Sequence, residues 1–157
     1  MDLYLRIFIA VILFVCLYAA PIDLICRKCG NTITTSAELI NRTSPTKAKY
    51  DYVFPIADKN LSISVFENPA GQTFHVVASK TGNLHFQGDA SHDASWFPGM
   101  HWIICVCSTC KQHMGWYFKM NDDPTNDKKN FVGLVLTNII SASYTDQLMK
   151  TPGSSEN

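Results

Sequence analysis

Short runs in which apolar and polar residues alternate recur through the middle of the chain, and they predict a mainly β protein. Leu61, Ile63 and Val65 alternate with Ser62 and Ser64, the period of a half-buried strand. Glu67-Asn-Pro-Ala-Gly71 is a turn by its proline and glycine, and the run from Thr73 to Ala78 answers the first strand across it as a hairpin. Thr32 to Thr35 is β-prone, and Ala37 to Ile40 reads as a short helical turn. Residues 41–52 read as a polar loop, and Phe54 to Ile56 as a strand. Leu84 to Gln87, Trp102 to Cys105 and Gly115 to Met120 predict further short strands, and Phe131 to Ile140 is a strand-like apolar run. The polar loop from Gly88 to Ser95 and the tight turn Phe97-Pro98-Gly99 deliver the chain into Trp102.

Ahead of these strands lies a run of a different kind. In residues 1–20 one arginine, Arg6, precedes the apolar stretch from Ile7 to Leu17, and Ala19 and Ala20 supply small residues at its end. This is the layout of a secretory signal peptide; the run is short for a spanning helix, which needs about 20 apolar residues. Cleavage after Ala19 or Ala20 is expected. An uncleaved anchor is the alternative, and the one way a membrane enters the picture. Two N-x-S/T triplets, Asn41-Arg42-Thr43 and Asn60-Leu61-Ser62, suit an exported glycoprotein. The expected organisation is a leader over 1–20, one domain over 21–145 and a disordered tail over 146–157.

Composition changes the picture by what it excludes. Lys+Arg and Asp+Glu number 13 each, so the formal net charge is zero. No basic block marks a nucleic-acid surface, and nucleic acid is not an expected partner.

Cysteine spacing adds chemistry. Cys16 falls in the leader. Cys26-Arg-Lys-Cys29 and Cys107-Ser-Thr-Cys110 are two Cys-x-x-Cys pairs, and four thiolates suit a tetrahedral structural zinc. The pairs are distant in sequence, so one ion would tie two remote strands or hairpins together. Because export favours disulfides, bridged cysteines are the alternative; the odd count left after removal of the leader argues against disulfides alone. Cys105, in an apolar run, reads as a buried strand residue. His113 reads as a hydrogen-bonding neighbour of the metal shell rather than a ligand. All three tryptophans, Trp96, Trp102 and Trp116, lie within 95–118 beside the second pair. Such density points to a site fixed by a metal or, failing that, to ordinary core.

Several of these residues together carry a resemblance. They are Cys26-Arg-Lys-Cys29 with Thr32-Ile-Thr-Thr35 and Glu38; the turn Asn68-Pro-Ala-Gly71 with Phe74; and the block Ser95-Trp-Phe-Pro-Gly99 followed by Trp102, Cys107, Cys110, His113 and Gly115-Trp116. In this order and spacing the chain resembles the CULT domain, the thalidomide-binding domain of cereblon, from about Leu24 to Ile140. The resemblance implies a β-tent of two antiparallel sheets, pinned by zinc on Cys26, Cys29, Cys107 and Cys110. It implies a cage of Trp96, Trp102 and Trp116, walled by Phe118 and rimmed by Asn68 and Pro69, that takes cyclic imides such as glutarimide and uracil-like rings. The Ala94 carbonyl and the Trp96 N–H would bond the lactam edge of the ring. Ala94 stands where the family more usually has histidine; the backbone contacts survive and a side-chain contact is lost, with His92 two residues away as a substitute.

The expected function is therefore a secreted, zinc-containing, non-enzymatic module for a small cyclic imide or uracil-like ligand. No ubiquitin-ligase adaptor is expected among its partners, since an exported chain would not meet that machinery. Two alternatives stand beside this. An aromatic cage can take a quaternary ammonium by cation–π attraction, although no acidic residue is obviously placed to assist. The β-tent with paired Cys-x-x-Cys also resembles the methionine-R-sulfoxide reductases, for which Cys105 is the spare nucleophile.

Overall fold

The computed structural model describes residues 20–120 and 129–149. The leader expected over 1–20 lies outside this set apart from Ala20, as does the tail beyond residue 149. Strands β1 (Asp23–Cys26), β2 (Thr32–Thr35) and β11 (Ile139–Ser141) form a three-stranded sheet in the order β11-β1-β2. A larger sheet runs β4 (Tyr50–Ile56), β5 (Lys59–Glu67), β6 (Thr73–Ser79), β10 (Phe131–Val135), β9 (His113–Met120), β8 (Met100–Cys107), β7 (Leu84–Ser91), with the short β3 (Leu39–Ile40) paired to β6. Every pairing is antiparallel. A mainly β fold of two antiparallel sheets is thus what the chain adopts.

The alternation of side chains sorts the core into two layers. Leu61 and Ile63 on β5, Val77 on β6 and Val132 and Leu134 on β10 point to one face, where they meet Leu24 and Ile33 of the small sheet. The opposite face carries Phe66, Val76, Ala78, Phe118 and Phe131. Each fully buried Val, Leu, Ile or Phe contributes roughly 1.5–3 kcal/mol by leaving water. The first layer fastens one sheet to the other; the second is the floor on which the aromatic site is built. Polar links support the junction. Thr34 Oγ1 and Ser79 Oγ, both buried, lie 3.0 Å apart, and the Asn83 N–H donates to the Ile33 carbonyl at 2.7 Å.

Several boundaries differ from expectation. β4 begins at Tyr50, inside the expected loop, because it is an exposed edge strand with no buried face to produce alternation. The apolar run 131–140 is two strands: a 3-10 turn over Leu136–Asn138 carries the chain from the large sheet to the small one. β1 was not foreseen, nor was the helix α1 (Ala142–Met149), which continues past the expected boundary at 145. Ser36–Glu38 is a 3-10 turn, close to the helical turn expected there. Among the described residues no helix is long and apolar enough to cross a membrane. Asn41 and Asn60, the two sequon asparagines, are both exposed.

Candidate metal centre and aromatic cavity

β1 ends in Cys26 and β8 in Cys107, and Cys29 and Cys110 lie in the turns that follow, so each sheet brings one pair. The four sulfurs of Cys26, Cys29, Cys107 and Cys110 lie within 4.8 Å of one another. Cys26 Sγ is 3.7 Å from Cys110 Sγ, and Cys29 Sγ is 3.7 Å from Cys107 Sγ. These are not bonded sulfurs, so the disulfide alternative fails; all four cysteines are free. A tetrahedral ion with bonds of about 2.3 Å to sulfur sets its ligands about 3.8 Å apart, which the cluster matches.

The two pairs are built alike. Cys26 N–H donates to the Asn31 carbonyl and Gly30 N–H to the Cys26 carbonyl; Cys107 N–H donates to the Gln112 carbonyl and Lys111 N–H to the Cys107 carbonyl. Gly30 and Lys111, the equivalent residues, both have left-handed backbones, with φ of 75° and 59°. This tight turn aims amides at the sulfurs. At Cys107 burial pushes the thiol up, but the N–H groups of Cys110 and Thr109 outweigh it and leave the thiol at about 7. At Cys29 the Asn31 N–H favours the thiolate, yet desolvation and the sulfurs of Cys110, Cys107 and Cys26 push it up to about 12. One thiolate is easily formed and further ones repel it, an arrangement that a divalent cation resolves. His113 takes no part in this cluster.

On the other face, Trp96, Trp102 and Trp116 line one cavity of about 580 Å³ together with Asn68, Pro69, Ala94 and Phe118. All seven residues expected at a ligand site therefore share one hollow. Trp116 on β9 and Trp102 on β8 stand on the same sheet face, since Trp102 pairs with Phe118 and Ile104 with Trp116. Trp96 comes from the loop before β8. It stacks on Phe66 at 4.6 Å and 4°, and meets Trp116 edge-on at 4.7 Å. Its indole N–H donates to the Glu67 carbonyl, and that of Trp102 to the Asp93 carbonyl at 2.8 Å. Two of the indoles thus fix the flanking loops and present their rings to the cavity.

The polar groups of the wall are sharply divided. Asn68 is at the rim, but its side chain is occupied by its own turn: Oδ1 accepts from the N–H of Ala70 and of Gln72, and Nδ2 donates to Gln72 Oε1. Among the described residues, the Ala94 carbonyl and the Trp96 N–H have no hydrogen-bond partner. Ala94 holds φ at 50°, a left-handed conformation that costs a residue with a Cβ about 1–2 kcal/mol. The loop is held in this shape by Ser44, whose hydroxyl donates to the Trp96 carbonyl. His92 does not replace the family histidine at this wall; its ring lies 5.5 Å from that of His101, outside the cavity.

Five residues of the wall, Gln72, Phe74, Asp93, Ile104 and His113, were not anticipated as site residues. Phe74 and Ile104 add apolar surface, Asp93 contributes the carbonyl that holds the Trp102 indole, and His113 packs edge-on against Trp116 at 4.6 Å. Burial lowers the pKa of His113. Its place follows from a bulge. Cys105 pairs with Gly115 and Val106 with His113, so Met114 is the extra residue. Met114 turns into the core and His113 shares a face with Trp116, where plain alternation would separate them. Gly115 was the available signal. Cys105 itself is fully buried, and desolvation pushes its thiol up to about 12, so it offers no accessible thiolate nucleophile.

Comparison with known proteins agrees with this geometry. The family described as "Yippee zinc-binding/DNA-binding /Mis18, centromere assembly" matches residues 22–153. The protein cereblon of Gallus gallus is 32% identical over 115 residues, 71% of this chain and 22% of the relative. That of Danio rerio is 34% identical over 96 residues, 61% and 19%, and that of Drosophila grimshawi 41% over 61 residues, 39% and 8%. The chain thus spans less than a quarter of the length of these relatives. It belongs to the Yippee-Mis18 family, as a domain of the CULT type found in cereblon.

Proposed function

We propose that the chain is an exported, non-catalytic binding module whose aromatic cavity takes a small neutral ring with a donor beside an acceptor, a cyclic imide or a uracil-like base, on a scaffold fastened by zinc. The observation that carries this reading is the joint placement of three indoles around one hollow that Ala94 also lines, with no hydrogen-bond partner for the Ala94 carbonyl or the Trp96 N–H among the described residues. Such a pair matches an imide or lactam edge: the ring N–H donates to Ala94, and a ring carbonyl accepts from Trp96. A ring without that edge leaves both groups unpaired, at about 1–3 kcal/mol each. A six-membered ring hiding roughly 150 Å² of apolar surface gains roughly 4 kcal/mol. With the two hydrogen bonds this gives a Kd between about a micromolar and a millimolar. Zinc is the reading for the metal because the ligands are four thiolates. It would fasten the small sheet to the β8–β9 hairpin and carry no chemistry. Export rests on the leader pattern and on the exposure of both sequon asparagines. The family description includes DNA-binding, but the balanced charge favours a ring over a duplex.

The test is a tryptophan fluorescence titration of the zinc-loaded protein with glutarimide and with uridine. Saturable quenching is expected, abolished in Trp102→Ala with the metal still bound. A flat response in the metal-loaded wild type would overturn the reading. The three indoles support a second ligand class, a quaternary ammonium, by cation–π attraction. Saturable binding of tetramethylammonium in place of either ring would favour that reading.

A further inference from the structure

A second hollow of about 610 Å³ adjoins the aromatic cavity, and Ala94 lines both. Its other walls include Lys47, His92, Ser95 and His101. Lys47 is not placed by chance: its N–H donates to Ser44 Oγ, and the same hydroxyl donates to the Trp96 carbonyl. The turn that carries Lys47 is therefore latched to the loop that forms the cage wall. His101 Nδ1 is buried and is the one such side-chain nitrogen without a partner among the described residues. A buried polar atom left unpaired calls for an explanation, often an absent ligand or water. The Asp93 carboxylate faces His92 Nε2 at 3.6 Å.

We propose, resting on the reading above, that the ligand has two parts: a pyrimidine ring in the cage and an anionic arm in this second hollow, as in a pyrimidine nucleoside phosphate. If the N3–H of a uracil ring donates to Ala94 and its C2 carbonyl accepts from Trp96, N1 is the next atom along that edge. A substituent on N1 then leaves alongside the backbone of 94–96, where the second hollow opens. Lys47 supplies a positive charge for a phosphate, and the imidazoles of His92 and His101 line the same hollow; the Ser95 hydroxyl already donates to the Phe97 carbonyl. The small side chain of Ala94 leaves the wall between the hollows low. A larger residue there would stand in the passage, so the departure from the family histidine becomes a specificity device.

The experiment compares uridine with uridine 5′-monophosphate on the zinc-loaded protein by tryptophan fluorescence, with inorganic phosphate as a control. The monophosphate is expected to bind about ten-fold tighter at low salt, the scale of one charge-assisted contact. Lys47→Gln is expected to bring the ratio to about one with uridine binding unchanged, and Ala94→His to lower it as well. Equal binding of the two ligands by the wild type overturns the two-part ligand and leaves the ring reading standing, as does a ratio that survives both Lys47→Gln and His101→Gln. Failure of uridine, its monophosphate and glutarimide alike would instead sink the ring reading, and this inference with it. Inorganic phosphate alone should cause no quenching.

Discussion

Gly115 is the residue at which fold and site depend on the same atom. It sits at the β9 bulge with φ of 146°, and a Cβ built there would lie 1.9 Å from the Gly133 carbonyl oxygen and 2.9 Å from its carbon. No rotamer relieves this, because both neighbours are backbone of β10, the strand paired to β9. Gly115→Ala must separate β9 from β10 or flatten the bulge. The backbone conformation costs about 1–2 kcal/mol for a residue with a Cβ, and overpacking typically adds about 1–3 kcal/mol. The sum, about 2–5 kcal/mol, is a large part of the stability of an ordinary domain. At about 3–4 °C per kcal/mol for a domain of this size, Tm should fall by at least about 6 °C, measured by circular dichroism with excess metal. Flattening the bulge would also return His113 and Trp116 to opposite faces, so ring binding should fail in whatever remains folded. A Tm within about 3 °C of wild type with ligand binding intact would refute the reasoning.

Three other outcomes follow from the same geometry. Lys111→Gly should stabilise the protein by about 1 kcal/mol, since Lys111 occupies the left-handed position that Gly30 fills in the matching turn; an unchanged or lowered urea midpoint would contradict this. Chelation of the metal should release the small sheet first, so amide exchange should quicken in Leu24–Cys26 and Thr32–Thr35 before it does in β5 and β6; simultaneous loss would show that the metal does not act as the local fastener. Burial depresses the pKa of His113, so its contribution to stability is present above its unfolded pKa of about 6.5 and is lost as pH falls through the folded value. His113→Phe should lose less of its urea midpoint than wild type between about pH 7.5 and about pH 5.5, and equal losses would overturn that assignment.

What could be read from the sequence depended on which pattern each residue answers to. β5 and β6 were legible because Leu61, Ile63 and Val65 face one way and a Pro-Gly turn separates the strands. The four cysteines were legible because a metal demands a spacing as well as a residue type. β4 was hidden because Tyr50, Val53 and Phe54 are all exposed and no burial imposes a period. β10 and β11 read as one run because an apolar stretch does not say which sheet it joins. His113 was misplaced for a sharper reason. Its neighbourhood in sequence is the metal turn, but one extra residue, Met114, rotates it into the aromatic wall.

That rotation also says why the metal and the cavity belong to one device. The second cysteine pair ends β8 and leads into β9; the bulge follows within five residues of Cys110, and the third indole comes immediately after Gly115. A metal on the four cysteines would fix the tip of the hairpin, and the Gly115–Gly133 contact fixes its register against β10. Trp102, Ile104, His113 and Trp116 are then set on one face with no contribution from the ligand. The loop 92–99, which brings Trp96 and the backbone groups of Ala94 and Trp96, is held by side-chain latches such as Ser44. The proposed ring would meet walls that are mostly prearranged, which conserves affinity for a ligand with little surface to offer. The loop, and Ala94 within it, is where one member of this family can come to differ from another in what it accepts.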